Sequence, residues 1–442
     1  MSQHPFLFPL ILFLVATLLV ARSMWTRPSV GLGGAYMLQL WMLYAAGPCL
    51  RALPWSGLPD TSVVLDGFAA SAYGAMAFAI GWFLTPQLFP LQRPRFVVQD
   101  AKLPVTYLVA GMISYFLLRP TIGHLPSVQS LTAVGSQLAV AGLCLGSFVQ
   151  WKRGGWRTML KWVVPALLLP VITVLHEGFL GFGVAALSLV FVFCAMFVRP
   201  RWVVVAALLI AAYAGMSVMV AYLENRTELR TAVWGGADLD TRLTALARTA
   251  SLLHPFDPTD PHEIAIIDGR LDQSILAGLA VDRISERGDY AHGATLLNAL
   301  IGVIPRALWP NKPAAAGSGG LVSRYTGIKF ARNTSVGVGQ VMEFYINFGM
   351  PSLIIGFFAL GVLLGYSDQR SALLLHTGDW QRFVQWFLIG ISCINVGGSL
   401  IEVTSTAAAS VVTAQVVNSI LAARKRAVQR KTASETNVLQ PV

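Results

Sequence analysis

The feature that most constrains this chain is a series of eleven long apolar runs, each near the length a helix needs to cross a bilayer. Such a crossing takes roughly 20 residues, with a range of about 17 to 25. On that ruler the runs fall near 5–21, 31–50, 63–85, 103–118, 129–150, 162–176, 179–198, 202–222, 345–366, 383–401 and 404–422. Hydrocarbon offers no water to a backbone, so each run must satisfy its own N–H and C=O groups. The runs therefore predict an all-α, polytopic transmembrane bundle. Composition agrees, because 55% of the 442 residues are hydrophobic and 12% are charged, against about 25% charged in soluble domains. The cysteines, Cys49, Cys144, Cys194 and Cys393, stand singly in or beside apolar runs. They read as small hydrophobes, without the paired spacing of a metal site or disulfide framework.

The net charge of +11 is explained by topology. A basic excess of this kind collects in cytoplasmic loops, and no basic stripe with interleaved aromatics points to nucleic acid. When the loops are assigned alternately to the two sides, 18 of the 20 basic residues outside residues 223–345 fall on one side. Arg51 and Arg119 are the exceptions. The first run lacks the basic start and small-residue cleavage site of a signal peptide, and its positive flank, Arg22 and Arg27, follows it. The expected orientation is an extracytoplasmic N-terminus and a cytoplasmic C-terminus in a bacterial-type inner membrane.

Four regions follow. Residues 1–222 hold the first eight spans, 223–345 form one large periplasmic segment, 346–422 hold the last three spans, and 423–442 form a basic, unstructured tail drawn to anionic headgroups. The large segment carries 12 basic and 13 acidic residues, a balance suited to water. Residues 224–250 and 273–287 have helical character, and 254–262 is a proline-punctuated loop. The apolar stretch 294–304 is too short to cross, which predicts a re-entrant or interfacial helix. No ionisable residue is expected at the midplane of a span. Asp66, Arg119, His124, His176, Glu177 and Glu402 all fall at outer ends or turns. That asymmetry favours a site at the outer interface over a midplane transport path.

Within the large segment, Arg283 and Arg287 share a helix face one turn apart and could grip a phosphate or pyrophosphate, unless they belong to a self-paired, solvated face. Pro305, Pro310 and Pro313 stiffen the loop from which Arg306, Trp309 and Lys312 project. Two are cations and the third offers a flat face for a sugar ring. Gly317-Ser-Gly-Gly320 reads as a flexible break. Glu343, at the mouth of the ninth apolar run, is a candidate general base or merely a complement to a helix dipole.

The run Asp289-Tyr…Gly293…Leu297-Asn-Ala…Ile304-Pro-Arg…Leu308-Trp-Pro-Asn-Lys-Pro313, followed by Gly339-Gln…Glu343-Phe-Tyr…Asn347-Phe-Gly349, resembles the signature of the O-antigen polymerase and oligosaccharide repeat-unit polymerase family. The likeness covers about 70 residues, 282–349. Arg306 and Gly317 also match the family's arginine with a glycine eleven positions on, whereas no arginine between 226 and 248 has one. The resemblance implies a helical bundle like that of the C-type membrane glycosyltransferases, with neither metal nor other cofactor. The implied partners are an undecaprenyl-pyrophosphate-linked oligosaccharide, the bilayer and a chain-length regulator. It further implies glycosyl transfer at the periplasmic face, with Arg306 and Glu343 catalytic and His292 the alternative base. Arg283, Arg287, Tyr290, Trp309, Lys312 and Tyr345 would bind substrate, with Arg119, His176 and Glu177 lining the floor. Two other functions fit the same composition. One is an O-antigen ligase, which moves finished polymer onto a lipid A core. The other is a flippase or transporter of lipid-linked oligosaccharide.

Overall fold

The computed structural model describes residues 6–59, 61–92, 94–97, 100–123, 125, 128–304, 308–309, 318–330 and 336–438. His124, Arg306 and Lys312 lie outside them. The described residues are all-helical, without a strand. In chain order the first half contains α1 (Leu7–Thr26), then α2 (Leu32–Leu40) and α3 (Ala46–Arg51) joined by a π-turn at Trp41–Ala45. Next come α4 (Ser62–Leu88), then α5 (Leu103–Ile113) and α6 (Arg119–Ile122) joined by a second π-turn at Ser114–Leu118. These are followed by α7 (Val128–Ala166), α8 (Leu168–Glu177), α9 (Leu180–Ala195) and α10 (Arg201–Trp234). Six shorter helices fill the long segment: α11 (Leu239–Ser251), α12 (Pro261–Leu271), α13 (Ser274–Arg287), α14 (Ala294–Gly302), α15 (Ser318–Thr326) and α16 (Gln340–Phe348). The chain closes with α17 (Met350–Thr377), α18 (Trp380–Cys393) and α19 (Leu400–Val438).

Seven helical stretches among the described residues are long and apolar enough to cross a membrane, which marks the chain as a membrane protein. The difference from eleven has identifiable causes. The stretch Val128–Glu177 is 50 residues long and covers two of the expected spans, which part where Gly154 (φ −153°) and Gly155 (φ 73°) leave helical geometry. Only glycine adopts the second conformation readily. Helices α9 and α18 have 16 and 14 residues, and the rod from α2 to α3 is made less apolar by Gly33, Gly34, Gln39, Gly47 and Pro48.

Helix α4 is the centre of the bundle, flanked by α1, α13 and α17. Gly67, Gly74 and Gly81 repeat every seven residues along it, and each is a point of close approach. A Cβ on Gly67 would overlap the Ser274 carbonyl of α13, and one on Gly81 the Phe358 carbonyl of α17. The partners answer in kind. Gly278 of α13 lies against the Val63 carbonyl and Gly361 of α17 against the Phe78 carbonyl. Small residues let backbones touch where lipid supplies no hydrophobic drive between helices.

Three expectations need correction. The apolar reading ended the ninth span at residue 366, but α17 continues to Thr377 and carries Asp368, which is 0% exposed. Its Oδ1 accepts from the backbone N–H groups of Val30 (3.1 Å) and Leu32 (2.9 Å). An ionisable group therefore is buried within a membrane-length helix, retained because it satisfies N–H groups at the start of α2 that have no partner within their own helix. Second, Ser318 to Gly320 open α15 rather than forming a flexible break. Third, the described part of the basic tail, residues 423–438, is not irregular, since the backbone of α19 stays helical to Val438.

The long segment is docked on the bundle. Arg51, at the end of α3, donates from Nε to Asp268 Oδ1 (3.0 Å) and Asp272 Oδ2 (3.3 Å), with all three side chains at most 8% exposed. This places α12 against α3 and leads directly into α13, the helix that packs on α4.

Candidate functional site

The site is built where the long segment re-enters the bundle. Just before α16, Gly339 N–H donates to Gly397 O (3.2 Å) and Gln340 N–H to Val396 O (2.9 Å), fastening the chain to the turn between α18 and α19. Gln340 is fully buried and locked at both ends. Its Nε2 donates to Asn395 O (3.0 Å) and its Oε1 accepts from the Tyr36 hydroxyl (2.6 Å). One turn on, Glu343 is 2% exposed, and its Oε2 accepts from the backbone N–H of Leu400 (2.6 Å), the first residue of α19. The first N–H groups of a helix lack intrahelical partners and carry partial positive charge, so a carboxylate is the natural occupant.

Burial pushes the Glu343 carboxyl up to about 7. The Leu400 N–H and the Thr295 hydroxyl act in the opposite direction, and Glu402 reinforces the rise. Glu402 is exposed and closes a capping box, taking the Ser399 N–H on Oε2 (3.2 Å) while Ser399 Oγ accepts from Glu402 N (3.4 Å). Two carboxylates thus sit on one helix N-terminus, one buried and one open to solvent. Beneath them Asn347 donates from Nδ2 to Thr295 Oγ1 (2.7 Å) and to Glu343 O (2.6 Å).

The earlier half of the motif closes over this pair. Ala291 N–H donates to Ile346 O (2.8 Å), and Thr404 of α19 donates to Ala299 O of α14 (2.6 Å). His292 holds a left-handed φ of 46°. Its ring is exposed, 6.2 Å from that of Tyr290 and 6.4 Å from that of Phe348. Tyr290 and Tyr345 are both half-buried and within electrostatic range of one another. Residues about 50 positions apart therefore share one wall. Compared with protein-family profiles, with curated proteins and with solved structures, the chain matches none significantly. The site is accordingly argued from its own chemistry.

Of the other expected residues, Arg283 is half-buried, its guanidinium against Gly327 (φ 79°), a position where an added Cβ would meet Nη1 at 2.8 Å. Arg287 is exposed in the last turn of α13, so the two arginines do not share an environment. Trp309 is 39% exposed. Arg119, His176 and Glu177 do meet, and they meet the long segment. Arg119 forms a two-pronged ion pair with Glu177, and the His176 ring lies 5.0 Å from Tyr115 and 5.7 Å from Phe116. Trp234 Nε1 donates to Glu177 O (3.0 Å) and Arg242 to Leu175 O (3.2 Å). Their neighbours are α10 and α11, whereas Glu343 is framed by α14, α17 and α19.

Sequence reading missed one cluster. Arg226 and Arg230 lie one turn apart on α10, and Arg270 is in the last turn of α12, which packs on α10. Burial lowers the Arg270 guanidinium from its ordinary value, and the neighbouring charges of Arg230 and Arg226 add to that. Arg230 donates to Gly178 O (3.3 Å) and lies over the rings of Phe179 (4.6 Å) and Trp234 (5.4 Å). None of the three forms an ion pair among the described residues. Their four-residue spacing on α10 was legible; the arrival of Arg270 depends on how α12 folds back.

Proposed function

We propose that this protein is a membrane glycosyltransferase that polymerises undecaprenyl-pyrophosphate-linked oligosaccharide repeat units at the periplasmic face. The observation that carries this reading is the meeting of residues 291–299 with α16 and the start of α19 around Glu343, whose carboxyl is poised at about 7. A base works best when its value lies near the operating pH. A sugar hydroxyl of one lipid-linked unit gives its proton to Glu343 as its oxygen attacks the anomeric carbon of a second glycan. The bond from that carbon to the pyrophosphate oxygen breaks, and undecaprenyl pyrophosphate leaves with the electron pair. Arg306 and Lys312, with Arg283, are the cations assigned to that leaving charge.

The orientation belongs to the same proposal: eleven crossings, N-terminus outside, C-terminus inside. It is supported by the packing of Arg51, Glu177 and Gly178, at ends assigned to the outside, against the long segment. Reporter fusions after Trp156 and Asn311 should read cytoplasmic and periplasmic respectively; the same compartment at both overturns it. For the activity, cells lacking the gene should carry lipid A bearing a single repeat unit. Lipid A with none would instead assign the ligase reaction, and vesicle transport with unchanged chain length would assign a flippase.

A further inference from the structure

Helices α17, α18 and α19 run from the Glu343 site to the other end of the bundle, and there they open into a polar groove. The end of α17, the first turns of α18 and the second half of α19 meet Gln92 and a strap of residues 94–97 around two adjoining hollows of ≈ 300 and ≈ 580 Å³. The hollows share Val97, Asp379 and Arg382. Arg95, Arg370, Arg382 and Arg426 line them, against one acid, Asp379. That acid is already engaged, since Oδ1 caps the Arg382 N–H (3.3 Å) and Oδ2 pairs with Arg382 Nη1 (3.5 Å). Among the described residues Arg95 and Arg370 have no acidic partner, so the groove keeps a positive excess. Gln385 and Gln415 add neutral donors and acceptors from facing helices.

The position of the groove narrows what can fill it. The apolar part of α19 ends at Ala423, and Ala422 and Arg426 on either side of that end line the groove. The groove therefore lies where hydrocarbon gives way to water. Val97 N–H donates to Thr377 O (3.0 Å), which fastens the strap to α17 and leaves Phe96 86% exposed and Val97 48% exposed beside Arg95. Apolar side chains so placed are stable in an acyl layer and costly in water.

We propose that this groove binds the headgroup of an anionic phospholipid, with Arg370 and Arg382 on the phosphate, the two glutamines on headgroup hydroxyls and Phe96 among the acyl chains. The chemistry recognised is a phosphate ester. The apolar rim assigns it to a lipid rather than a soluble ester.

The full-length chain in a neutral detergent can be titrated with phosphatidylglycerol, with phosphatidylcholine of the same acyl chains, and with glycerol phosphate, reading binding by native mass spectrometry. Phosphatidylglycerol should bind more tightly than phosphatidylcholine, and added salt should reduce the difference. Arg95→Gln and Arg382→Gln, at exposed positions, should each weaken phosphatidylglycerol binding roughly fivefold and leave phosphatidylcholine unchanged. Arg382→Lys should retain most of the affinity. Equal binding of the two lipids, or an Arg95→Gln/Arg382→Gln double variant that binds like the parent, would overturn the site. Glycerol phosphate competing as well as the lipid would overturn the lipid assignment.

Discussion

Replacing Glu343 by glutamine separates catalysis from folding. The carboxyl is raised from 4.5 to about 7, so the folded state holds its proton over a range where the unfolded chain has lost it. For such a group stability falls as pH rises from about 4.5 through about 7, the reverse of a salt-bridged carboxylate. At ~1.36 kcal/mol per pH unit, the ionised Glu343 costs the fold about 3 kcal/mol above pH 7. Glutamine keeps the shape and can still accept the Leu400 N–H through its amide oxygen, but it never ionises. Glu343→Gln should therefore melt at least as high as the parent at pH 8, and its melting temperature should depend less on pH between 5 and 8. Its polymerising rate, measured as repeat units added to a lipid-linked donor, should fall roughly 10²- to 10⁴-fold, the contribution of a general base. The parent's rate should rise with pH through about 7 and the residual rate of the variant should not. Long chains made by Glu343→Gln at the parent's rate would refute the assignment. A variant that lost rate only in proportion to lost folded protein would reduce Glu343 to a helix cap.

Other sites give independent tests. Arg51→Ala leaves Asp268 and Asp272 buried without their cation, so thermal melting should report a loss of about 3–5 kcal/mol, and limited proteolysis should cut residues 252–273 sooner. Gly278→Ala drives a methyl into the Val63 carbonyl and should cost about 1–3 kcal/mol by the same melting assay. Gly269→Ala, with open space around it, should be neutral or stabilising by about 0.5–1 kcal/mol. Arg306→Ala and Lys312→Ala, read from the motif, should each lower turnover on the order of 10²- to 10³-fold at normal abundance, with single-repeat glycolipid accumulating. Long chains in both variants would remove these two residues from the reaction.

The helical class was legible because a bilayer permits so few ways of burying a backbone. The helical character of 224–250, 273–287 and 294–304 was legible from periodicity and proline placement, but the break between Trp234 and Leu239 that divides the first stretch into α10 and α11 was not. Less legible were the ends. Apolar runs mark where hydrocarbon could sit, but α10, α17 and α19 each extend well past their runs into polar sequence, since a helix needs only its own hydrogen bonds to continue. That is why a run ending at residue 366 leaves out Asp368, which α17 carries. The seven-residue glycine spacing of α4 was present in the sequence too, but its meaning depends on which backbones approach it, and those lie in α13 and α17.

The candidate site shows the same division more sharply. Glu343, Tyr290, His292 and Tyr345 were all named from short motifs; the fold sets Tyr290 beside His292 and near Tyr345, whereas Glu343 points from α16 toward Leu400 of α19. The character of Glu343, however, comes from Leu400, 57 residues on, and from Glu402 and Thr295. A carboxylate read from its own helix looks like a dipole complement on α16. In the fold it faces the N-terminus of a different helix, is nearly dry, and has a second carboxylate within electrostatic reach. Burial alone would hold Glu343 protonated and useless as a base, while the free N–H of α19 alone would hold it ionised and weakly basic. Opposed as they are here, the two bring the group to about 7, and neither contribution is written within the nine residues of α16.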